Sequence, residues 1–274
     1  MTDPGAARSV HTNASSERWL TGRHAIVTGG GRGIGAAIAS ELAHRGATVT
    51  ITGRDLDTLR NTAQEVSGAH GVGVTALACD ITDAASVHSV FTAAQREHGA
   101  AYILVNNAGQ SEGRPFLNTS RELWDRMLAV NLTGAFTCTQ LVLGGMQRAR
   151  AGRIVNIAST SGLKGYRNIT AYCASKHGLV GLTRALAAET ARAGITVNAV
   201  CPAYTDTDMA ARAVGNVVRD MDRTEEEARA LIARSVPRGT LITPAEVAGA
   251  VGWLCSPAAT GISGQTITIA GGEI

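Results

Sequence analysis

From residue 22 onward, short β-rich runs alternate with stretches of helical periodicity, and this alternation restricts the possible fold more than any other feature. The runs are HAIVTG (24–29), TVTITG (48–53), VTALACD (74–80), YILVNN (102–107), RIVNIAS (153–159), TVNAVCP (196–202) and TITIAGG (266–272). Between them come stretches such as GAAIASELAHRG and AASVHSVFTAAQREHG, where small or apolar residues recur at helical spacing. A strand covered on both faces has no outward polar row, so it reads as a continuous Val/Ile/Ala run, as these do. The pattern predicts an α/β domain: a doubly wound parallel sheet of about seven strands with right-handed crossovers and helices on both faces.

With 274 residues the chain can bury one substantial core, and it shows no internal repeat, so one domain is expected over 21–274. The first twenty residues, MTDPGAARSVHTNASSERWL, are polar and aperiodic and lack the apolar run of a secretory signal. They read as a flexible extension; with only Asp3 and Glu17 as acids, an Arg- and Ser-containing targeting peptide stays open. A hydrophobic share of 45 % against 17 % charged marks a folded chain. The net charge of +3, spread without a basic stripe, argues against a nucleic-acid partner. No continuous apolar run approaches the roughly 18 residues of a membrane span. The cysteines, at 79, 138, 173, 201 and 255, show no C-x-x-C and no metal-ligand spacing. Their odd count and apolar settings favour a reducing, cytoplasmic location, with no metal site expected.

One segment breaks the rhythm. Residues 203–242 separate two strands by more than one crossover helix and read as helical, with no strand of their own. An excursion of that size beyond a strand's carboxyl end is expected to form a lid.

The first strand runs directly into TGGGRGIG (28–35), which opens a helix. Gly29, Gly33 and Gly35 let the backbone turn tightly and approach a pyrophosphate, with Gly31, Arg32 and Ile34 completing the loop. The helix N-terminus offers free N–H groups and a partial positive charge to phosphates. No Walker A lysine is present, which argues against an ATPase. At the end of the second strand an acid would hydrogen-bond the ribose 2′-hydroxyl of NAD. Gly53 stands there instead, followed by Arg54, and Arg32 lies in the loop. Two guanidiniums suit a 2′-phosphate, which favours NADP(H) over NAD(H). Asp55 is a competitor that could turn Arg54 away.

The spacing T-G-x-x-x-G-x-G resembles the short-chain dehydrogenase/reductase family and differs from the G-x-G-x-x-G of other Rossmann-type enzymes. Three further motifs carry the resemblance: Asp80 in ACDITD, the N-N-A-G turn of Asn106, Asn107, Ala108 and Gly109, and AYCASKHGL (171–179). It covers residues 22–274 and implies a Rossmann-type single domain. It also implies that Asp80 and Ile81 border the adenine and that Asn107, Ala108 and Gly109 lie near the cofactor. Read alone, Asp80 could equally cap the helix that begins near Asp83. After the sixth strand, CPAYTDTDM has Pro202-Ala203 where the family usually has Pro-Gly, so an altered turn beside the nicotinamide is expected. Pro202, Ala203, the backbone near Thr205 and the hydroxyl of Thr207 are the implied contacts there.

Tyr172 precedes Lys176 by one helical turn, which stacks the two on one face. Alone, that pair is an ordinary solvated couple. With Asn131 in an apolar helix and Ser159 after the fifth strand, it matches the family's Asn–Ser–Tyr–Lys tetrad. A carbonyl that receives hydride must also take a proton, and a free phenol with a pKa of about 10 is a sluggish donor near neutrality. A nearby ammonium lowers that value, so Tyr172 is expected to act as general acid and base, tuned by Lys176. Ser159 would hydrogen-bond the substrate oxygen. By resemblance, Lys176 holds the nicotinamide ribose and Asn131 positions a water in a proton relay.

The chemistry implied is interconversion of a ketone and a secondary alcohol. Thr160, Ser161, Leu163, Tyr166 and Asn168, with Tyr204 at the start of the lid, are expected to line the substrate side together with Ser159 and Tyr172. TEEEARALIAR, VPRG and LITPAEVAGAVGWLCSP resemble ketoreductases of the β-ketoacyl and polyketide type. Arg219, Arg223, Arg229 and Arg234 suit either a thioester carrier's phosphates or a solvated helix face paired with Glu225–Glu227, and the second reading is preferred. Alternatives are an NAD-dependent secondary alcohol dehydrogenase, acting on 3-hydroxyacyl or alicyclic, steroid-like substrates, a non-redox lyase of the same fold, and a nucleotide-sensing binding protein. The intact glycine loop and Lys176 argue against the lyase, and the complete tetrad argues against the binding protein. The resemblance implies a homotetramer or homodimer built on helices near 120–149 and 170–193.

Overall fold

Side chains of the central strands alternate between the two faces of the sheet, and both faces are buried. On β1 (His24–Thr28), Ala25 and Val27 pack with α1 (Gly33–His44), α2 (Leu56–His70) and α9 (Pro244–Leu254) through Ile38, Leu42, Leu59 and Val251. Ile26 points the other way, into a cluster with α3 (Ala84–His98), α5 (Gly134–Ala149) and α6 (Thr170–Thr190) through Phe91, Cys138 and Leu186. Both faces of the sheet are thus covered, as the continuous apolar runs require. Phe91 is fully buried, and truncating a Phe in such a setting costs about 3–5 kcal/mol.

The computed structural model describes residues 18–274. The remaining elements are β2 (Thr48–Gly53), β3 (Val74–Ala78), β4 (Ala101–Asn106), α4 (Arg121–Leu128), β5 (Gly152–Ile157), β6 (Ile195–Pro202), α7 (Asp208–Met221), α8 (Glu225–Ala233) and β7 (Thr266–Ile269). All seven strands form one parallel sheet in the order β3-β2-β1-β4-β5-β6-β7. Strand order reverses between β1 and β4, and the crevice beyond their carboxyl ends is where such sheets bind ligands.

A polar ladder crosses the middle of the sheet. Asn106 Nδ2 donates to Asn156 Oδ1 at 2.8 Å and to Thr139 Oγ1 at 3.1 Å, and Asn156 Nδ2 donates to Thr183 Oγ1 at 2.8 Å. All four side chains are buried. Asn106 and Asn156 also face each other in the β4–β5 register.

Packing begins ahead of the expected boundary at 21. Leu20 is 1 % exposed, its N–H donates to Arg45 O, and the Arg45 guanidinium stacks over Trp19 at 4.5 Å. These two apolar residues anchor the end of the stretch expected to be flexible; residues 1–17 lie outside the described residues. Among the described residues, Arg121–Ala149 has the length and composition to cross a membrane. Cys138, Val142 and Met146 on it pack against the sheet with Leu104 and Ile154, as in a core helix.

The segment expected to form a lid consists of α7 and α8, which with Leu241 share a small cluster of Val214, Ala228 and Ile232. Its two ends meet in a parallel bridge between Thr205 and Ile242. Thr224 and Glu227 form a reciprocal cap at the start of α8. Arg223 pairs with Glu227 at 3.7 Å, Arg229 with Asp206 at 2.7 Å, and Arg219 with Asn216 at 2.5 Å. The solvated-face reading accounts for Arg223 and Arg229, although Asp206 was no part of that expectation.

Candidate active site

The glycine loop closes on itself. A Cβ added to Gly35 would lie 2.1 Å from Gly29 O and 2.6 Å from Asn107 Nδ2, so the backbone crossing here excludes any side chain. Asn107 holds the crossing: its Nδ2 donates to Thr28 O at 2.9 Å and Gly29 O at 3.0 Å. The N–H groups of Asn107 and Ala108 both donate to Thr28 Oγ1 at 3.0 Å. Thr28 was read only as the first letter of the motif, and its hydroxyl ties the ends of β1 and β4.

Helix α1 starts at Gly33 without a side-chain cap, and so does α7, whose N-cap is Thr207. The two starts adjoin, since a methyl on Gly33 would sit 3.1 Å from Thr207 Cγ2. Uncapped N–H groups on two helix ends, above a crossing that only glycine fits, suit the phosphates of a dinucleotide. Ile34 is half-buried against the core beneath the loop. Gly31 O accepts Thr62 Oγ1 at 2.8 Å.

Arg54 is exposed at the end of β2, next to half-buried Gly53. Asp55, weighed as its competitor, caps α2 instead, accepting from Thr58 N at 3.2 Å and Thr58 Oγ1 at 2.7 Å. Arg32 lies 3.4 Å from Asp208 at the start of α7, both well exposed. Asp80 does not cap α3; Asp83 does, through Ala85 N. Asp80 Oδ1 accepts from Thr82 N and Oγ1, and these bonds, ahead of the Arg54 charge, hold its carboxyl below the usual range. Ile81 packs on the start of α5, where its Cδ1 would be 2.9 Å from a methyl on Gly134.

Across the crevice, Asn131 lies not in a regular helix but in a π-helical turn, Ala129–Thr133, between α4 and α5. Such turns re-aim side chains and are frequent at functional sites. Asn131 Oδ1 accepts from Gln110 N at 2.9 Å, while Nδ2 donates to Gln110 O at 2.9 Å and to Ser175 Oγ at 3.1 Å. Ser175 Oγ in turn donates to Tyr172 O at 2.7 Å. Both amide hydrogens of Asn131 are therefore used, leaving one lone pair on Oδ1. Gly109 approaches closely: its added Cβ would lie 2.9 Å from Asn131 Oδ1 and 3.6 Å from Lys176 Nζ.

Tyr172 and Lys176 are both buried on α6. Lys176 Nζ donates to Ile157 O at 2.8 Å and lies 5.7 Å from the centre of the Tyr172 ring. Ser159 caps the short 3-10 turn that follows, through Ser161 N at 3.1 Å, and stands close enough to Tyr172 to pull its phenol down. Burial pushes the Tyr172 phenol up to about 12, against the pull of Ser159, and pushes the Lys176 ammonium down to about 8. Lys176 is not among the groups that move Tyr172, contrary to the expectation of an ammonium-lowered phenol, because desolvation outweighs a cation aimed at Ile157 O.

Of the residues expected to line the substrate side, Thr160 and Ser161 are buried and Leu163 half-buried. Tyr166 is committed to Thr160 and to Glu273, a residue no motif pointed to. Asn168 holds a left-handed φ of 64°, and its carbonyl accepts from Arg114 N. Tyr204 is 41 % exposed. Pro202 is buried and Thr207 Oγ1 donates to Thr205 O at 3.2 Å. Ala203 donates to Ile269 O and is absent from the positive-φ residues, so a methyl fits this turn without strain.

A family model described as short chain dehydrogenase matches residues 23–217. The "Granaticin polyketide synthase putative ketoacyl reductase 1" of Streptomyces violaceoruber is 42 % identical over 250 residues, covering 90 % of this chain and 92 % of that one. The 3-oxoacyl-[acyl-carrier-protein] reductase of Vibrio harveyi is 38 % identical over 253 residues, covering 92 % and 98 %. A crystal structure of an actinorhodin polyketide ketoreductase variant with NADPH superposes with a TM-score of 0.89 at 40 % identity, covering 92 % of this chain and 97 % of that one.

Proposed function

The chain belongs to the short-chain dehydrogenase family and is an oxidoreductase of the keto/alcohol class that works with a nicotinamide nucleotide, and on that premise we propose that it is an NADP(H)-dependent ketoreductase of β-ketoacyl or polyketide-like thioesters. The observation that carries this reading is the buried Tyr172–Lys176 pair, with Nζ 5.7 Å from the ring centre and Ser159 beside the phenol, at the carboxyl end of the sheet across from the glycine loop. The relatives named for ketoacyl reduction, and the NADPH of the actinorhodin reductase, support the substrate and cofactor.

When bound, the nicotinamide supplies or takes up the hydride. Gly29, Gly33 and Gly35, with the starts of α1 and α7, would hold the phosphates; Arg54, assisted by Arg32, would take the 2′-phosphate; and Lys176 the nicotinamide ribose. In reduction, Tyr172 hands its phenolic proton to the substrate oxygen while the Ser159 hydroxyl steadies the charge that develops there. A phenol raised to about 12 keeps its proton at neutral pH yet remains a far stronger acid than a secondary alcohol, so it can serve as the proton donor in reduction. Asn131 keeps Gln110 and, through Ser175, the first turn of α6 in register with Tyr172. Its free lone pair is the acceptor a relay water would use.

Five free cysteines, all buried, support a reducing compartment such as the cytoplasm. A groove of about 220 Å³ between α5 and α6, bordered by Phe136, Gln140, Leu143, Leu182 and Glu189, supports pairing with a second copy. The test is turnover of acetoacetyl-CoA, followed at the nicotinamide absorbance band with NADPH and with NADH. A kcat/KM ratio favouring NADPH at least about tenfold is expected. Turnover confined to simple ketones or alicyclic alcohols would remove the thioester, and a clear NADH preference would remove NADP(H).

A further inference from the structure

Glu273 follows β7 and is separated from Tyr166 by 107 residues, yet its side chain is only 8 % exposed. The Tyr166 hydroxyl donates to Glu273 Oε1 and is hydrogen-bonded to Thr160 Oγ1 at 2.8 Å. Lys164 Nζ lies 3.1 Å from the same Oε1 and 3.4 Å from Glu273 O. One carboxylate thus holds two residues of the loop that leads from β5 to α6, Lys164 and Tyr166, and through Tyr166 reaches a third, Thr160. It faces Tyr204 too, whose phenol is raised by burial first and by the Glu273 charge second. Burial and the carboxylate both push the Tyr166 phenol up, so it stays a donor throughout the neutral range.

The backbone before Glu273 is fixed separately. Gly271 has φ +54°, and a Cβ on it would lie 2.8 Å from Val236 Cγ1 and 2.9 Å from Arg238 Cδ. Gly271 O accepts from Arg238 N at 3.1 Å, and Glu273 N donates to Ala270 O at 3.1 Å. This segment is therefore seated on the trailing end of the lid while its carboxylate grips the opposite wall.

We propose that Glu273 is a positioning residue for the substrate: it clamps the 160–166 wall to the segment seated on the lid, so that wall and lid keep one spacing for the acyl portion. The proposal rests on the reading of this side as the substrate pocket. A buried carboxylate with two charge-assisted partners is a stiff link, and its loss frees the wall rather than the reacting groups.

Glu273→Ala, Glu273→Gln, Tyr166→Phe and the Glu273→Ala/Tyr166→Phe double variant test this with acetoacetyl-CoA and NADPH. Expected for Glu273→Ala are a KM about tenfold higher, a kcat lowered less than about threefold and an NADPH Kd within about twofold. Gln, which keeps an oxygen for Tyr166, should recover most of the KM, and the double variant should add little to Glu273→Ala. In hydrogen exchange without substrate, the amides of 162–164 should exchange about tenfold faster in Glu273→Ala. A KM within twofold of the parent, fully additive effects, or unchanged exchange would each overturn the clamp. Should Glu273→Ala not fold, Tyr166→Phe carries the same KM and exchange readings. If the parent turns over no ketone, the reductase reading fails, and the exchange measurement still decides the clamp.

Discussion

On the nucleotide side of the crevice, the crossing of Gly35 over Gly29 leaves no space for a methyl, and Asn107 spends both amide hydrogens on the backbone of β1 and its loop. On the lid side, α7 and α8 bury a four-residue cluster and present paired arginines to water. The first region is over-determined by sterics and buried polar bonds; the second is held by a small apolar patch and a bridge at its base. On the proposed reading the contrast teaches where function tolerates change: phosphate binding sits on the rigid side, and substrate choice sits on elements that can be reshaped cheaply.

Substitutions on the two sides should separate accordingly. Tyr172→Phe has the largest expected effect, a fall in kcat of about a thousandfold with NADPH affinity near the parent's, measured by steady-state turnover and fluorescence titration. Retained turnover would break the assignment of Tyr172 as the proton donor. Gly35→Ala comes next: with a methyl 2.1 Å from a carbonyl oxygen, NADPH affinity should drop about a hundredfold and thermal stability should fall with it. Arg54→Ala should lower the NADPH-over-NADH ratio of kcat/KM about tenfold, leaving NADH turnover little changed.

A smaller effect belongs to the foot of β1. His24 is buried between Gly99 O and Thr50 Oγ1, with the His98 ring 5.2 Å away and Glu97 nearby, and burial lowers its pKa below 6.5. The unfolded chain takes up this proton below 6.5 while the folded one resists, so stability is complete above that pH and declines as pH falls. The slope for one proton is at most about 1.4 kcal/mol per pH unit, and His24→Asn should flatten it in urea titrations between pH 8 and 5. Least of all, Arg223→Ala and Arg229→Ala in the lid should each shift stability by less than about 1 kcal/mol and kcat/KM by less than about threefold. A larger loss with acetoacetyl-CoA alone would sharpen the comparison by giving the lid arginines a role with the thioester.

The seven strands were legible because parallel strands buried on both faces carry continuous Val/Ile runs, and the glycine loop because its spacing is local. Tyr172 and Lys176 were legible for the same reason, being one helical turn apart. Asn131 was found as a residue but not as a π turn, since the shift from i→i+4 to i→i+5 bonding leaves no mark in composition. The Arg32–Asp208 pair and the contacts of Glu273 escaped because their partners lie far apart in the chain and meet only in the folded structure. The protonation of the tyrosine was misjudged for a related cause: sequence reveals that an ammonium is near, but not how much water the pair has lost.

The amide ladder at Asn106 and Asn156 has one more consequence. Inner strands that are oily on both sides can slide along one another with little change in what they bury, so greasiness alone is a poor ruler for alignment. Two carboxamides facing each other between inner strands favour the one frame in which Asn106 Nδ2 meets Asn156 Oδ1 and Asn156 Nδ2 meets Thr183, because any other frame adds stranded amide hydrogens to hydrocarbon.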